Sequence, residues 1–207
     1  MIDARCAVRD GYVVNSLGYR APEFNAVNWS DSYILQGCSA TFGIGITDDS
    51  QTVSANLEKM LNAPVINLGV AGSSIQFQCM NAVEIIASGI RPKGVFTIWP
   101  GADRYSYLGN NNIIHVGPWS ENKFLSWMLD DNSANQNVHY AKTYKLLWEL
   151  ATVPVYDVTH HYSNCIRGIC DTYVGEFKDW GTDGQHWGPM MAEHVALLLF
   201  QKHQLNL

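Results

Sequence analysis

The sequence has few charged side chains, no basic run and no long apolar run, and each absence excludes a class of protein. Charged residues make up 15% of the chain, and 13 Lys and Arg stand against 19 Asp and Glu, for a formal net charge of −6. Because no basic patch is present, we expect no nucleic-acid partner. The apolar stretches are far shorter than the roughly 20 residues that a membrane span needs, so we expect no such span.

Cysteine is odd in number and scattered, which argues against a disulfide framework. The five cysteines are Cys6, Cys38, Cys79, Cys165 and Cys170. Residues 1–5 lack the apolar core of a signal peptide, so we expect reduced thiols and a cytoplasmic location. His160, His161 and Cys165 lie close in sequence, but their spacing matches no standard zinc pattern. The alternative is a surface loop in which Cys165 and Cys170 can pair under oxidation.

Apolar and aromatic residues are plentiful, at 47% and 12% of the chain. A chain of 207 residues with this composition can bury a large core, and it fits one domain over residues 1–207. No internal repeat or linker divides it. Residues 1–30 are expected to form an irregular leader packed on the domain. The sequence does not indicate an oligomeric state.

Apolar runs that end in turns of small residues, each followed by a helical pattern, recur along the chain. This order predicts an α/β protein with a mostly parallel sheet and helices on both faces. The predicted strands are residues 33–36, 64–68, 95–99 and 153–158. The predicted helices run from an N-cap within residues 47–50 to residue 61, and over residues 75–88, 121–130, 135–151 and 189–203. Long loops are predicted for residues 105–117 and 159–188, and a turn that positions Arg20 for residues 15–20.

A serine follows the first predicted strand, in the sequence Gly37-Cys38-Ser39-Ala40-Thr41-Phe42-Gly43. In an open α/β sheet, the turn after such a strand lies at the carboxyl edge, where ligands bind. Small neighbours leave Ser39 accessible, and a serine at this place can act as a nucleophile if a base activates it. The alternative is a glycine-rich turn with an unreactive serine.

A carboxylate and an imidazole lie three residues apart just before the last predicted helix, in the sequence Asp183-Gly184-Gln185-His186. Since Gly184 eases a turn, the Asp183 carboxylate can accept a hydrogen bond from one nitrogen of His186. The other nitrogen is then free to take a proton from a serine. The alternative is a surface loop in which the two residues meet by chance.

Four short motifs occur in an order that resembles the SGNH (GDSL-type) hydrolases. They are Gly37-Cys38-Ser39 with Thr41 and Gly43, Asn67-x-Gly69-x-x-Gly72, the turn after the third strand, and Asp183-x-x-His186. Residues 15–20 are similar to a segment upstream of the serine in some members. The resemblance implies a flavodoxin-like three-layer α/β/α sandwich. It also implies hydrolysis of esters, including acyl lipids and acetylated sugars.

The resemblance implies a role for each matching residue. Ser39 resembles the nucleophile, His186 the general base, and Asp183 the residue that orients the imidazole. The backbone N–H groups of Ser39 and Gly72 resemble two donors of the oxyanion hole. Cys38 stands where the family usually has an Asp that takes no part in the chemistry. No metal and no organic cofactor is implied.

The turn after the third strand departs from the family, which has an Asn side chain there as a third oxyanion donor. The turn reads Pro100-Gly101-Ala102-Asp103-Arg104, so either Ala102 or Asp103 replaces that Asn. An ionised Asp103 would repel an oxyanion, whereas Arg104 can donate hydrogen bonds to one. All three residues are also candidates for substrate binding.

The leading hypothesis is an esterase that forms an acyl-enzyme on Ser39 with a small-molecule or carbohydrate ester. One alternative is an acyltransferase on the same fold, in which an alcohol or sugar replaces water. Another is a carbohydrate- or partner-binding module with weak catalysis, which the missing Asn favours. Five aromatic residues can stack on a sugar or pack in the protein, and packing is expected for most of them: Trp99, Tyr105, Tyr107, Trp119 and Trp127.

Overall fold

Four parallel strands form the central sheet of the computed structural model, which describes residues 1–5, 11–108, 113–117, 131–166, 168–176 and 178–205. The strands in chain order are β1 (Tyr33–Gln36), β2 (Val65–Asn67), β3 (Gly94–Trp99), β4 (Tyr105–Leu108), β5 (Ile113–Val116) and β6 (Val155–Thr159). The sheet has the order β2-β1-β3-β6, and β4 pairs with β5 as a separate antiparallel hairpin. Successive residues such as Ile34 and Leu35 are both fully buried, as expected where helices cover both faces.

Helices lie on both faces of the sheet, which confirms the predicted three-layer α/β/α arrangement. They are α1 (Ser39–Phe42), α2 (Val53–Leu61), α3 (Ile75–Ala87), α4 (Asp131–Leu150), α5 (Tyr162–Ile166) and α6 (Pro189–Gln204). Side chains of α3 and α4 share one core with Ile34 and Val95, and side chains of α2 and α6 share the other with Leu35 and Phe96. Among the described residues, we find no helix with the length and apolar character needed to cross a membrane.

The strand order reverses between β1 and β3. The chain moves from β1 to β2 on one side and then returns to β3 on the other side of β1. Gln36 pairs with Thr97, so β1 and β3 end side by side, and Trp99 pairs with Thr159 at the end of β6. Ligands bind at such a switch point in open α/β sheets. The turns that follow β1, β3 and β6 therefore meet at one edge of the sheet.

The leader contains the predicted turn at residues 15–20. The Asn15 side chain accepts hydrogen bonds from the N–H groups of Leu17 and Tyr19, at 3.1 and 3.0 Å. Gly18 adopts a φ of +85°, and a Cβ there would lie 2.6 Å from the backbone nitrogen of Arg5, so only glycine fits. Tyr19 is fully buried in the core shared with α3 and α4. The turn thereby anchors the leader and directs the next residue, Arg20, inward.

The structure corrects one predicted loop and several helix boundaries. Residues 105–117 were expected to be a loop, but β4 and β5 form a hairpin in which Ile113 and Val116 are buried. Residues 49–51 form a short 3-10 turn, and Thr52 caps α2. The loop over residues 159–188 contains α5, and α4 begins at Asp131. The predicted helix over residues 121–130 lies outside the described residues.

Candidate active site

Ser39 is the first residue of α1, three residues beyond the end of β1. Glycine is required on both sides of this turn because of close backbone contacts. A Cβ on Gly37 would lie 2.8 Å from the carbonyl oxygen of Ile98, and one on Gly69 would lie 2.4 Å from the backbone nitrogen of Phe42. The turns after β1, β2 and β3 therefore pack directly against one another. Ser39 is half-buried at the point where they meet.

Asp183 and His186 form a compact turn that Gly184 makes possible at a φ of +64°. Asp183 Oδ1 accepts hydrogen bonds from the backbone N–H groups of Gln185 and His186, both at 3.0 Å. The second oxygen, Oδ2, lies 2.6 Å from His186 Nδ1. An ionised carboxylate only accepts hydrogen bonds, so Nδ1 carries the proton and Nε2 is left as an acceptor.

The acceptor nitrogen of His186 faces the serine. His186 Nε2 lies 3.1 Å from Ser39 Oγ, although the two residues are 147 positions apart in the chain. The structure therefore brings together the three residues that the motifs selected from opposite ends of the sequence. This is the geometry in which an imidazole can take a proton from a serine hydroxyl.

The Asp183 carboxyl is held in its charged form. Burial raises the pKa of Asp183, but hydrogen bonds from Gln185 and His186 outweigh that effect and leave it below its ordinary value. The carboxylate therefore stays ionised at neutral pH. A negative charge 2.6 Å from Nδ1 favours the orientation and tautomer in which Nε2 points at Ser39.

The motifs select the backbone N–H groups of Ser39 and Gly72 as candidate oxyanion donors. The first N–H groups of a helix have no partner within the helix, and Ser39 begins α1. Gly72 lies between β2 and α3 with a φ of +76°. Within the described part of the chain, neither N–H group donates a hydrogen bond to a protein atom. The Gly37 carbonyl accepts from Val70 N–H at 3.1 Å and from Gln78 Nε2 at 3.0 Å, which ties the two turns together.

The Asn67 side chain joins the turn after β2 to α1. Its side-chain oxygen accepts from Gly69 N–H at 2.9 Å, and its nitrogen donates to the Thr41 carbonyl at 2.9 Å. One buried amide thus connects the turn after β2 to α1. The Asn holds the Gly72 segment in position relative to Ser39.

The turn after β3 is held by a residue of α4. Asn137 Nδ2 donates to the carbonyl oxygens of Ala102 and Arg104, both at 2.8 Å. Ala102 is 4% exposed, whereas Asp103 is exposed and its Oδ1 would lie 2.4 Å from a Cβ on Gly101. Of the two residues that can replace the family's Asn, Ala102 is therefore buried and Asp103 faces solvent. The half-buried Arg104 is close enough to His160 and His161 to act on their pKa values.

Two histidines that the motifs did not select lie next to this site. The rings of His160 and His161 are 4.1 Å apart, and His160 lies 5.2 Å from the Trp187 ring in an edge-on arrangement. Burial holds the pKa of His160 well below its ordinary value, and the charges of nearby His161 and Arg104 lower it further. Both histidines directly follow β6, at the same edge as Ser39. Their position after a predicted strand was the signal that could have identified them.

In the described residues, His160, His161 and Cys165 do not belong to a group of three or more close metal-ligand atoms. Cys165 and Cys170 are free thiols. A different group, Asp157, Cys170 and Asp171, has ligand atoms within 4.8 Å of one another. Its carboxylates already bind two lysines, at 2.6 Å for Lys145 to Asp157 and 2.9 Å for Lys202 to Asp171. Burial raises the pKa of the Cys170 thiol to about 12.

Of the five aromatic residues considered for sugar stacking, Trp99, Tyr105 and Tyr107 lie in the described part of the chain. Trp99 is fully buried and donates its Nε1–H to Asp157 at 2.7 Å, so it belongs to the core. Tyr105 and Tyr107 are half-buried on β4. Trp119 and Trp127 lie outside the described residues. Trp99 therefore packs, as expected for most of these aromatics.

Comparison with known proteins finds similarity only among solved structures. No protein-family model and no curated protein matches the chain. One similar structure is a carbohydrate acetylesterase from Sinorhizobium meliloti, with 12% identity, a TM-score of 0.43, and coverage of 86% of this chain and 100% of that chain. An aryl esterase of M. smegmatis has 13% identity and the same TM-score and coverage. A lipolytic protein of the G-D-S-L family from Desulfitobacterium hafniense has 12% identity, a TM-score of 0.36, and coverage of 82% and 99%.

Proposed function

We propose that this chain is a serine esterase of the SGNH (GDSL) type, with Ser39 as nucleophile, His186 as base and Asp183 as the residue that orients His186. The observation that carries the proposal is the continuous line of contacts from carboxylate to imidazole to hydroxyl, at 2.6 and 3.1 Å. A serine needs such a base to act as a nucleophile. A serine that merely closed a turn would not require a carboxylate-bound imidazole facing its Oγ.

The reaction follows from these positions. Ser39 Oγ attacks the ester carbonyl carbon while His186 Nε2 takes the hydroxyl proton. The N–H groups of Ser39 and Gly72 then hold the negative oxygen of the tetrahedral intermediate. His186 returns the proton to the departing alcohol, and an acyl-enzyme remains on Ser39. Water attacks that ester with His186 as base, which releases the acid and restores the serine.

The substrate class that fits is a small acyl or acetyl ester, including one carried on a sugar. Ser39 is half-buried rather than enclosed, so the alcohol part of the ester can extend into solvent. The charged and imidazole side chains near the turn after β3 favour a polar alcohol part over a long apolar one. We propose a cytoplasmic location, in keeping with the reduced thiols.

The test combines turnover of p-nitrophenyl acetate with labelling by a fluorophosphonate and identification of the labelled peptide. We expect hydrolysis, and covalent label on Ser39 that Ser39→Ala abolishes. Ser30→Ala is the matched control, because Ser30 is an exposed serine in the leader, and it should change neither result. A folded protein that hydrolyses nothing and takes up no label would instead be a binding module. Acyl transfer to added sugars in preference to water would identify an acyltransferase.

A further inference from the structure

The leader inserts a buried arginine beneath the segment that follows Ser39. The Arg20 side chain is 6% exposed. Its guanidinium donates to the carbonyl oxygens of Gly43 and Ile46, at 2.9 and 3.0 Å, and its Nε donates to Asp49 at 2.7 Å. A buried cation is unfavourable unless it is paired and hydrogen-bonded. These bonds satisfy it, and they hold residues 43–46 in one shape.

A tyrosine of the leader holds the same segment at its centre. The Tyr12 hydroxyl accepts a hydrogen bond from Gly45 N–H at 2.8 Å. The Arg20 guanidinium lies 4.8 Å from the centre of the Tyr12 ring, and the ring meets Phe42 edge-on at 5.4 Å. Tyr12 and Arg20 therefore act on residues 42–46 as one unit, which we call the leader clamp.

The opposite side of Gly45 carries the loop with Asp183 and His186. The Gly45 carbonyl accepts from Thr182 N–H at 2.8 Å and from Thr182 Oγ1 at 3.2 Å. Gly45 has a φ of +85°, and a Cβ there would lie 2.9 Å from Asp183 Oδ1. One residue thus contacts the leader clamp through its N–H and the Asp183 loop through its carbonyl.

The same segment is also joined to the serine. The N–H groups of Gly43 and Ile44 both donate to the Ser39 carbonyl, at 3.0 Å. A shift of residues 43–46 would therefore move α1 relative to the Asp183 loop. The 3.1 Å distance between His186 Nε2 and Ser39 Oγ depends on both.

We propose that Tyr12 and Arg20 are positioning residues for the triad. They touch no reacting atom, and they hold residues 43–46 so that the Asp183 loop docks with His186 facing Ser39. This inference rests on the proposed esterase function for its effect on rate, although the docking itself does not. A displacement of about 1 Å between reacting groups can lower a rate by about 10²-fold.

Two conservative variants test the leader clamp. Tyr12→Phe keeps the ring and removes the acceptor for Gly45 N–H, and Arg20→Lys keeps the charge and loses the fork of donors. We expect kcat on p-nitrophenyl acetate to fall about 10-fold in Tyr12→Phe and about 10²-fold in Arg20→Lys, with KM within about twofold. Tyr19→Phe is the matched control, since the Tyr19 hydroxyl also forms a hydrogen bond to the backbone, here as donor to the Ile2 carbonyl at 2.7 Å. It should lower the melting temperature about as much as Tyr12→Phe and leave kcat unchanged.

Hydrogen exchange supplies a readout that does not depend on activity. The Thr182 amide, which donates to Gly45, should exchange faster in both clamp variants and at the wild-type rate in Tyr19→Phe. If the wild type hydrolyses no ester, but the Thr182 amide still exchanges faster in both clamp variants, the docking inference holds and the esterase function fails. Unchanged exchange, or an equal loss of kcat in Tyr12→Phe and Tyr19→Phe, would overturn the inference.

Discussion

Replacing Asp183 by Asn isolates the charge of the carboxylate from its role in folding the loop. The amide oxygen of Asn can still accept from Gln185 N–H and His186 N–H, which Asp183 Oδ1 now binds at 3.0 Å. At the second position, however, an NH₂ donor replaces the oxygen that lies 2.6 Å from His186 Nδ1. The imidazole is then held with Nδ1 as acceptor and its proton on Nε2. That nitrogen can no longer take a proton from Ser39.

The expected loss is large because the wrong tautomer stops the first chemical step. By analogy with other triads, we expect kcat to fall by about 10³–10⁴-fold, or about 4–5.5 kcal/mol of transition-state stabilisation. The pKa of Asp183 in the folded state lies below its ordinary value, so the carboxylate is charged at any pH above that folded-state pKa. The stability it contributes is therefore complete at neutral pH and is lost only as pH falls through the folded-state pKa. In an assay at neutral pH or above, the substitution therefore removes a fully ionised carboxylate, and the whole loss of kcat is measured.

The assay is steady-state hydrolysis of p-nitrophenyl acetate by Asp183→Asn, together with thermal unfolding. Gln185→Ala is the matched control, because Gln185 is exposed and binds Asp183 through its backbone N–H alone. It should keep kcat within about twofold. If Asp183→Asn keeps more than about a tenth of kcat with an unchanged melting temperature, the carboxylate does not orient His186 and the assignment is wrong.

Three further predictions concern other residues of the site and the fold. Ser39→Ala should lower kcat by about 10³-fold or more, and adding His186→Ala should lower it little further; near-wild-type activity in the single variant would contradict the triad. Cys38 is 1% exposed, so Cys38→Ala should keep most activity with a modest loss of stability. The roles of Cys38 and Ser39 would be reversed if iodoacetamide inactivated the enzyme through Cys38 while Ser39→Ala stayed active. Burial lowers the pKa of His115 to about 4 from its ordinary value of 6.5. Between about pH 7 and pH 4 the unfolded state binds a proton on His115 that the folded state does not, so the free energy of unfolding should fall by up to about 3 kcal/mol as the pH is lowered. Urea unfolding at a series of pH values measures this fall. An equal fall in His115→Asn would disprove the prediction.

Most of the fold was predictable because its signals are local. The apolar runs of β1 and β3 are buried on both faces, so each reads as a continuous strand whatever lies beside it. The β4–β5 hairpin was missed although its pairing is local, because a polar residue, Ser106, occupies a buried position in β4. The Ser106 hydroxyl lies 2.8 Å from Ser74 Oγ and from His115 Nδ1, so these partners satisfy it. A short polar stretch gives no sign that such partners will bury it.

In the candidate site too, local contacts could be predicted from the sequence and long-range contacts could not. The sequence by itself determined the Asp183–His186 pair, because that turn rests on contacts within three residues and on the positive φ of Gly184. Only the tertiary structure decided that His186 reaches Ser39, since that contact depends on the strand order and on Gly45 holding the two loops together. The leader clamp was decided there too, because Arg20 contacts Gly43 and Tyr12 contacts Gly45. Side chains that meet across 20 or more residues have no pattern in the sequence between them, so only the packed chain shows which of them share a site.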